Sequence, residues 1–190
     1  MSTPPVVIKR DVFDHFPLHL HVDIRMCVKD DLPDLEWFGL FTEHREIFLK
    51  VFDSQERGET LMLVAEVNTL PIGQTWIDLV KRKEESAGFI WALRVIPWLQ
   101  NLGIGGKLMA AAEARCKELG LAYAELGVEK ENHAAKRFYE RLGYRMIGSM
   151  IDDYSYTSPQ GQLITVPMDV WMLRKKLRNS NGHGSNQVNR

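Results

Sequence analysis

Leu93-Arg-Val-Ile-Pro-Trp-Leu-Gln-Asn-Leu-Gly-Ile-Gly-Gly-Lys-Leu108 reads as a strand that runs into a proline, crosses a glycine-rich loop and enters a helix. Gly103, Gly105 and Gly106 stand where that helix begins. Glycines there let a ligand approach the backbone, and the first-turn N–H groups point outward with the positive end of the helix dipole behind them. Such a terminus suits an anion, most simply a phosphate or pyrophosphate. Three glycines also serve tight packing, so the loop alone leaves both readings open. A dinucleotide fingerprint would want a small residue where this chain has Leu108, and would sit in a first βαβ unit. A Walker A loop would end in Lys-Ser/Thr, but Lys107 is followed by leucine.

Outward from this stretch the pattern alternates between the periods of strands and helices. Toward the N-terminus, Gly88–Val95 is an apolar strand, and Leu61–Val67 with Ile72–Leu79 forms a hairpin across Asn68–Pro71. Thr42–Phe52 carries Ile47, Phe48 and Val51 on one helical face. Asp31-Leu-Pro-Asp reads as a helix start with Asp31 as cap and Pro33 in the first turn. His21–Val28 is a strand. Toward the C-terminus, the helix from Gly103 to Leu119 keeps Ile104, Leu108, Met109, Ala112, Cys116 and Leu119 in one stripe, with Glu113 and Lys117 as an i,i+4 pair. Leu121–Val128 is a strand, and Asn132 caps a helix bearing Ala135, Phe138, Tyr139 and Leu142. Tyr144–Tyr156 and Leu163–Leu173 are final strands joined around Ser158–Gly161. The expected fold is α/β (mixed α+β), one central mixed twisted sheet flanked by helices.

The chain has 190 residues, 45% hydrophobic and 26% charged, and a net charge of −1 from 24 basic and 25 acidic residues. That is the composition of one globular domain with no overall pull toward nucleic acid or acidic membrane. Residues 1–20 read as an arm, 21–178 as the domain and 179–190 as a polar, disordered tail. No segment resembles a signal peptide or a membrane span. Cys27 and Cys116 are too far apart for a zinc site and too few for a secreted framework, which points to reduced, buried thiols in a cytoplasmic protein. His15, His19 and His21 lack a carboxylate or cysteine partner, so no metal site is expected.

The chain resembles the GNAT superfamily of acyl-CoA-dependent N-acetyltransferases. The family's pyrophosphate loop, Gln/Arg-x-x-Gly-x-Gly/Ala, is matched by Gln100, Gly103 and Gly105, and its preceding Val-x-Pro by Val95-Ile-Pro97. Its next element, Asn-x-x-Ala-x-x-Phe-Tyr-x-x-x-Gly-Phe/Tyr, is matched by Asn132, Ala135, Phe138, Tyr139, Gly143 and Tyr144. The resemblance runs from about residue 22 to 175 and is densest from 88 to 146.

The resemblance implies acetyl-CoA as cosubstrate and an amine as acceptor. Backbone groups of Leu93 and Val95 would pair with the pantetheine arm, and Gln100, Asn101, Leu102, Gly103, Ile104, Gly105 and Gly106 would surround the pyrophosphate. Asn132 would contact the pantetheine or thioester side. Tyr139 would protonate the leaving thiolate, unless it merely packs beside Phe138. The Val95 amide would bind the oxyanion. An ammonium must lose a proton before it can attack a thioester. Phe89–Val95 holds no carboxylate, which leaves Asp78, Glu125 and Glu129 as candidate bases, directly or through water. Cys116 lies in a core stripe, so direct attack in a ternary complex is expected over an acyl-cysteine route.

Relatives build the acceptor pocket from the first helices and the last hairpin. Asp152, Asp153, Tyr154 and Tyr156 lie there, an acidic and aromatic wall suited to a small polyamine-like or aminoglycoside-like amine. Trp37, Phe38, Trp76 and Trp91 are expected mostly in the core, with one or two of them open to the acceptor pocket, and Lys81-Arg-Lys83 in a solvated loop. A protein or peptide N-acetyltransferase, and a non-catalytic acyl-CoA-binding member, stand as alternatives. No nucleic-acid or membrane partner is expected, and a homodimer is left open.

Overall fold

In a computed structural model, the chain is described over residues 19–157 and 161–177. Most of the expected arm, including His15, the expected tail and Ser158–Gln160 lie outside the described residues. Seven strands form one sheet among those residues: β1 Asp23–Met26, β2 Thr60–Val67, β3 Leu70–Asp78, β4 Ala87–Val95, β5 Tyr123–Glu129, β6 Arg145–Thr157 and β7 Leu163–Lys176. Their order is β1-β2-β3-β4-β5-β7-β6, and every neighbouring pair is antiparallel except β4 with β5. Three α-helices accompany them: α1 Arg45–Glu56, α2 Ile104–Glu118 and α3 His133–Arg141. The expected mixed sheet flanked by helices is therefore the observed architecture.

Each face of the sheet has its own core. Leu108, Met109, Ala112 and Cys116 of α2 pack on Leu63, Ala65, Ile77 and Ile90. On the other face Phe48, Val51 and Phe52 of α1 pack on Met62, Val64 and Trp76. The α2 stripe approaches β4 so closely that a Cβ on Gly88 would lie 2.6 Å from Cys116 Sγ. Both cysteines are buried and unbridged, and burial, reinforced by nearby acidic side chains, pushes each thiol up to about 12. The β2–β3 hairpin closes on Asn68 and Thr69 with φ +49° and +69°, the left-handed pair of a tight two-residue turn.

The segment before α1 departs from expectation. Residues 29–44 form short 3-10 turns in place of a helix started by Asp31. Asp31 is buried and accepts from both Arg25 terminal nitrogens, at 2.6 and 2.8 Å, and from the Val28 amide at 2.8 Å. Trp37, Phe38 and Gly39 then take three consecutive positive φ values, which no helix can continue through. The strained backbone is held by Trp37, buried with its indole donating to the Pro71 carbonyl at 2.8 Å. Phe38, expected in the core, is instead exposed. The expected Glu113–Lys117 pair is also replaced: Glu113 faces the sheet and accepts from Lys175 at 2.6 Å. Leu119, expected at the end of the apolar stripe, is exposed, because α2 ends at Glu118 and Leu119 is its C-terminal cap.

Candidate active site

The parallel pairing of β4 with β5 covers only Ala87–Phe89 opposite Tyr123–Glu125, after which the two strands separate. The parting coincides with a bulge in β4, where Ala92 has φ +52° and the register against β3 slips between Gln74 and Trp76. A bulge adds a residue, bends the strand and re-aims the groups beyond it. Thr75 fastens it by donating to the Trp91 carbonyl at 3.3 Å. Beyond the bulge, the Ile96 N–H binds the Ile72 carbonyl. Strand alternation then turns the backbone groups of Val95 and Leu93 the other way, into the gap.

The loop after β4 leads to the N-terminus of α2, with Asn101 at φ +62° and Gly103 at φ +86°. A Cβ on Gly103 or on Gly106 would meet nothing within 4 Å, so this side of the loop is open. Ile104 is buried, which leaves its backbone as the group that can face a ligand, whereas the Leu102 side chain is exposed. Gln100 donates from Nε2 to the Val95 carbonyl at 3.0 Å and so ties the loop to the end of β4. These open backbone donors, at the positive end of a helix, fit the diphosphate of acetyl-CoA.

Helix α3 closes the same end. Asn132 caps it by accepting from the Ala135 amide at 3.0 Å, leaving its NH2 as the polar group for a ligand. Phe138 lies against the α2 terminus, 3.7 Å from where a Gly105 Cβ would stand. Tyr139 stacks edge-on with Phe138 and Tyr144. Burial pushes its hydroxyl up to about 12, so it keeps its proton at any working pH. Full transfer to a thiolate of pKa about 8.5 is uphill by several kcal/mol. A hydrogen bond to the developing thiolate, with the proton replaced as it leaves, is the cheaper contribution.

A cavity of about 600 Å³ spans the gap. Its lining joins Leu93, Asn132, Ala135 and Tyr139, the set expected around the cofactor, to His44, Trp91, Arg94, Asp78, Asp152 and Asp153, which include the residues expected around the acceptor. Thus Leu93, Asn132, Tyr139, Asp152 and Asp153, scattered in sequence, meet around one space. Val95 and the Gln100–Gly106 loop lie further along β4 toward the α2 terminus. The Tyr154 backbone pairs with Val166, while the side chains of Tyr154 and Tyr156 lie outside the described residues.

The acceptor end revises several expectations. Strand β6 lies against α1 and the turn before it, so the last hairpin reaches across this end. Lys81 is not simply solvated: its ammonium binds Asp152 at 3.0 Å and lies 4.3 Å from the centre of the Phe89 ring. Arg82 holds Glu125 at 2.7 Å, and Arg174 holds the other oxygen of that fully buried carboxylate at 2.6 Å. Both oxygens of Glu125 are therefore taken up by arginines. Asp78 Oδ1 accepts from the Val80 and Lys81 amides, both at 2.8 Å, and shapes the loop that presents Lys81. Of the aromatic residues expected in the core, Trp37 and Trp76 are there, and Trp91 lines the cavity.

His44 is a cavity residue that motif reading passes over. Its ring lies edge-on to Phe41 at 5.4 Å and stacked on Phe48 at 6.4 Å. Burial and the nearby Arg94 guanidinium hold it below the ordinary histidine value of 6.5, against a smaller opposing pull from Glu43. The available signal was the spacing Phe41, His44, Phe48, a histidine set into an aromatic helical stripe. Among the described residues no group of histidine, cysteine, aspartate and glutamate side chains is placed to hold a metal ion, and no helix is long and apolar enough to cross a membrane.

The sequence pattern of the Acetyltransferase (GNAT) family matches residues 28–144. An uncharacterized N-acetyltransferase of Archaeoglobus fulgidus is 31% identical over 135 residues, covering 62% of this chain and 89% of that protein. The N-terminal acetyltransferase A complex catalytic subunit NAA10 of Arabidopsis thaliana is 25% identical over 166 residues, covering 85% and 81%. Among solved structures, the ribosomal-protein-S18-alanine N-acetyltransferase of Escherichia coli superimposes with a TM-score of 0.62 at 19% identity, covering 87% of this chain and 98% of that one, a likeness of fold.

Proposed function

The chain belongs to the Acetyltransferase (GNAT) family, and from that premise we propose that it transfers an acetyl group from acetyl-CoA to the primary amine of a small cationic molecule, by direct attack in a ternary complex. Acetyl-CoA supplies the activated thioester. The α2 terminus holds the diphosphate through backbone N–H groups. Leu93 and Val95 would offer the pantetheine arm a strand edge, and the Val95 N–H would bind the oxyanion. Tyr139 donates a hydrogen bond to the departing sulfur. Cys116 takes no covalent part, since its thiol is buried between α2 and the sheet and kept protonated. The two buried thiols support a reducing, cytoplasmic setting.

The observation that carries the small-amine reading is the Lys81–Asp152 ion pair. It joins the loop after β3 to β6 at the cavity. Asp153, with Asp78 and Glu129 at the same cavity, leaves an excess of negative charge for a polyamine-like or aminoglycoside-like acceptor. A second reading, acetylation of a polypeptide N-terminus, is favoured by the similarity to NAA10 over most of both chains. The test is release of CoA thiol from acetyl-CoA with spermidine, kanamycin or short peptides as acceptors. Turnover of the first two supports the proposal, turnover of peptides alone favours the second reading, and acetyl-CoA binding without any turnover overturns both.

A further inference from the structure

We infer that His44 is the base that takes a proton from the acceptor ammonium, directly or through one water, at the acceptor end of the cavity. The inference rests on the acetyltransferase reading above and assigns the part that the missing β4 carboxylate leaves vacant. His44 ends the turn before α1 and lines the same cavity as Ala92, Leu93 and Tyr139. The carboxylates nearby are otherwise engaged or poorly matched. Glu125 is held by two arginines, Asp152 by Lys81, and Asp78 by two backbone amides. Glu129 and Asp153 are exposed, and an ordinary carboxyl of pKa about 4 is a weaker base than an imidazole of about 6.5.

The charges around the ring suit the role. Arg94 on β4 disfavours the imidazolium and Glu43 beside it favours it, while Lys81 on the loop after β3, Asp78, and Asp152 and Asp153 on β6 line the same cavity. The ring thus starts neutral at neutral pH, and after protonation the repulsion from Arg94 returns the proton to solvent. The acceptor ammonium gives up two protons in all. His44 takes the first, freeing the lone pair that forms the C–N bond. The C–S bond then breaks, Tyr139 delivers a proton to the sulfur, and the second proton from nitrogen restores the Tyr139 hydroxyl. Amide, CoA thiol and one released proton balance the step.

The test measures kcat and kcat/KM against pH for the wild type, His44→Gln and Glu129→Gln, with spermidine as probe, alongside calorimetry of acetyl-CoA binding and an NMR titration of the His44 imidazole in the unliganded protein. The expected result is a wild-type acid limb in kcat/KM, the free-enzyme profile, below pH 6.5 and matched by the NMR titration of His44. His44→Gln should abolish that limb and lower kcat by about 10²- to 10³-fold, with acetyl-CoA affinity unchanged. A retained limb in His44→Gln, its loss in Glu129→Gln, or a wild-type limb near pH 4 overturns the assignment while leaving the acetyltransferase reading intact. Should His44→Gln fail to fold, the wild-type limb and the NMR titration still decide between imidazole and carboxylate. A wild type that turns over no amine overturns both.

Discussion

The two ends of the cavity are built from different material. At the proposed cofactor end the groups on offer are mainly backbone: the strand edge at Leu93 and Val95, and the amides from Asn101 to Gly106 at the head of α2, with Asn132 and Tyr139 as the side chains beside them. At the acceptor end they are side chains: His44, Arg94, Asp78, Lys81, Asp152 and Asp153, drawn from four separate parts of the chain. A site made of backbone needs an open loop and a defined helix start, so it constrains residue identity at fixed spacing. A site made of side chains constrains only what the tertiary fold brings together. The cofactor end should therefore fail completely when its space is filled, while the acceptor end should degrade by steps.

The largest effect is expected at the loop. Gly105→Asp has room for its Cβ, with the nearest neighbours at 3.7 and 3.9 Å, so the fold should survive. Its carboxylate would stand in the diphosphate's place at a helix N-terminus. Acetyl-CoA affinity by calorimetry should fall by at least about 100-fold; undiminished binding by a folded variant would break the comparison at its firmer end. Next comes Tyr139→Phe, which keeps the ring packing and removes the hydroxyl. It should lower kcat by about 10²-fold with acetyl-CoA affinity unchanged, and full activity would return Tyr139 to a packing role.

Those two positions could be singled out in the sequence because each motif is local, confined to a few turns of chain. Gly103 and Gly105 follow Gln100 at a spacing that backbone geometry imposes, and Asn132 to Tyr144 repeats one helix with its cap and stop. The fold was legible on the same grounds, since β2 to β5 and α2 carry clean periods. The segment from 29 to 44 was not. Asp31 and Pro33 make a plausible helix start, but Arg25 takes the Asp31 carboxylate and the Trp37 indole pins a left-handed turn. Both are long-range contacts that no window can see. Lys81 misleads for a related reason: a basic run followed by Glu84 and Glu85 looks solvated until β6 supplies Asp152. Asp152 and Asp153 could be guessed, but their pairing state could not.

A network outside the cavity separates stability from catalysis. Asp31 is pushed toward protonation by burial, yet hydrogen bonds from Arg25 and the Val28 amide outweigh this and hold its carboxyl below the ordinary 3.8. The stability it contributes is complete above that value and is lost as pH falls through the lower, folded one. Asp31→Asn should cost about 1.5–3 kcal/mol at neutral pH, less in strong acid, with acetyl-CoA affinity unchanged in the folded fraction. Thermal melts at several pH values check this, and an equal loss at every pH would contradict it.

The smallest effect belongs to the acidic wall. Asp152→Asn together with Asp153→Asn should raise KM for a diamine by a few-fold relative to a monoamine of equal length, from contacts of about 0.5–1 kcal/mol each. Because Asp152 is already paired with Lys81, most of that preference should reside in Asp153, and the single variants would show it. An unchanged preference would make this edge of the cavity a solvated surface.

Hydrogen exchange on adding acetyl-CoA, then an amine, tests the two-ended cavity most directly. Acetyl-CoA alone should protect the backbone amides of Leu93–Val95 and Asn101–Gly106, which are the contacts assigned to it. Segments carrying His44, Lys81, Asp152 and Asp153 should respond only when spermidine joins the complex. Protection that begins at those segments with acetyl-CoA alone, leaving the Asn101–Gly106 amides unchanged, would contradict the account.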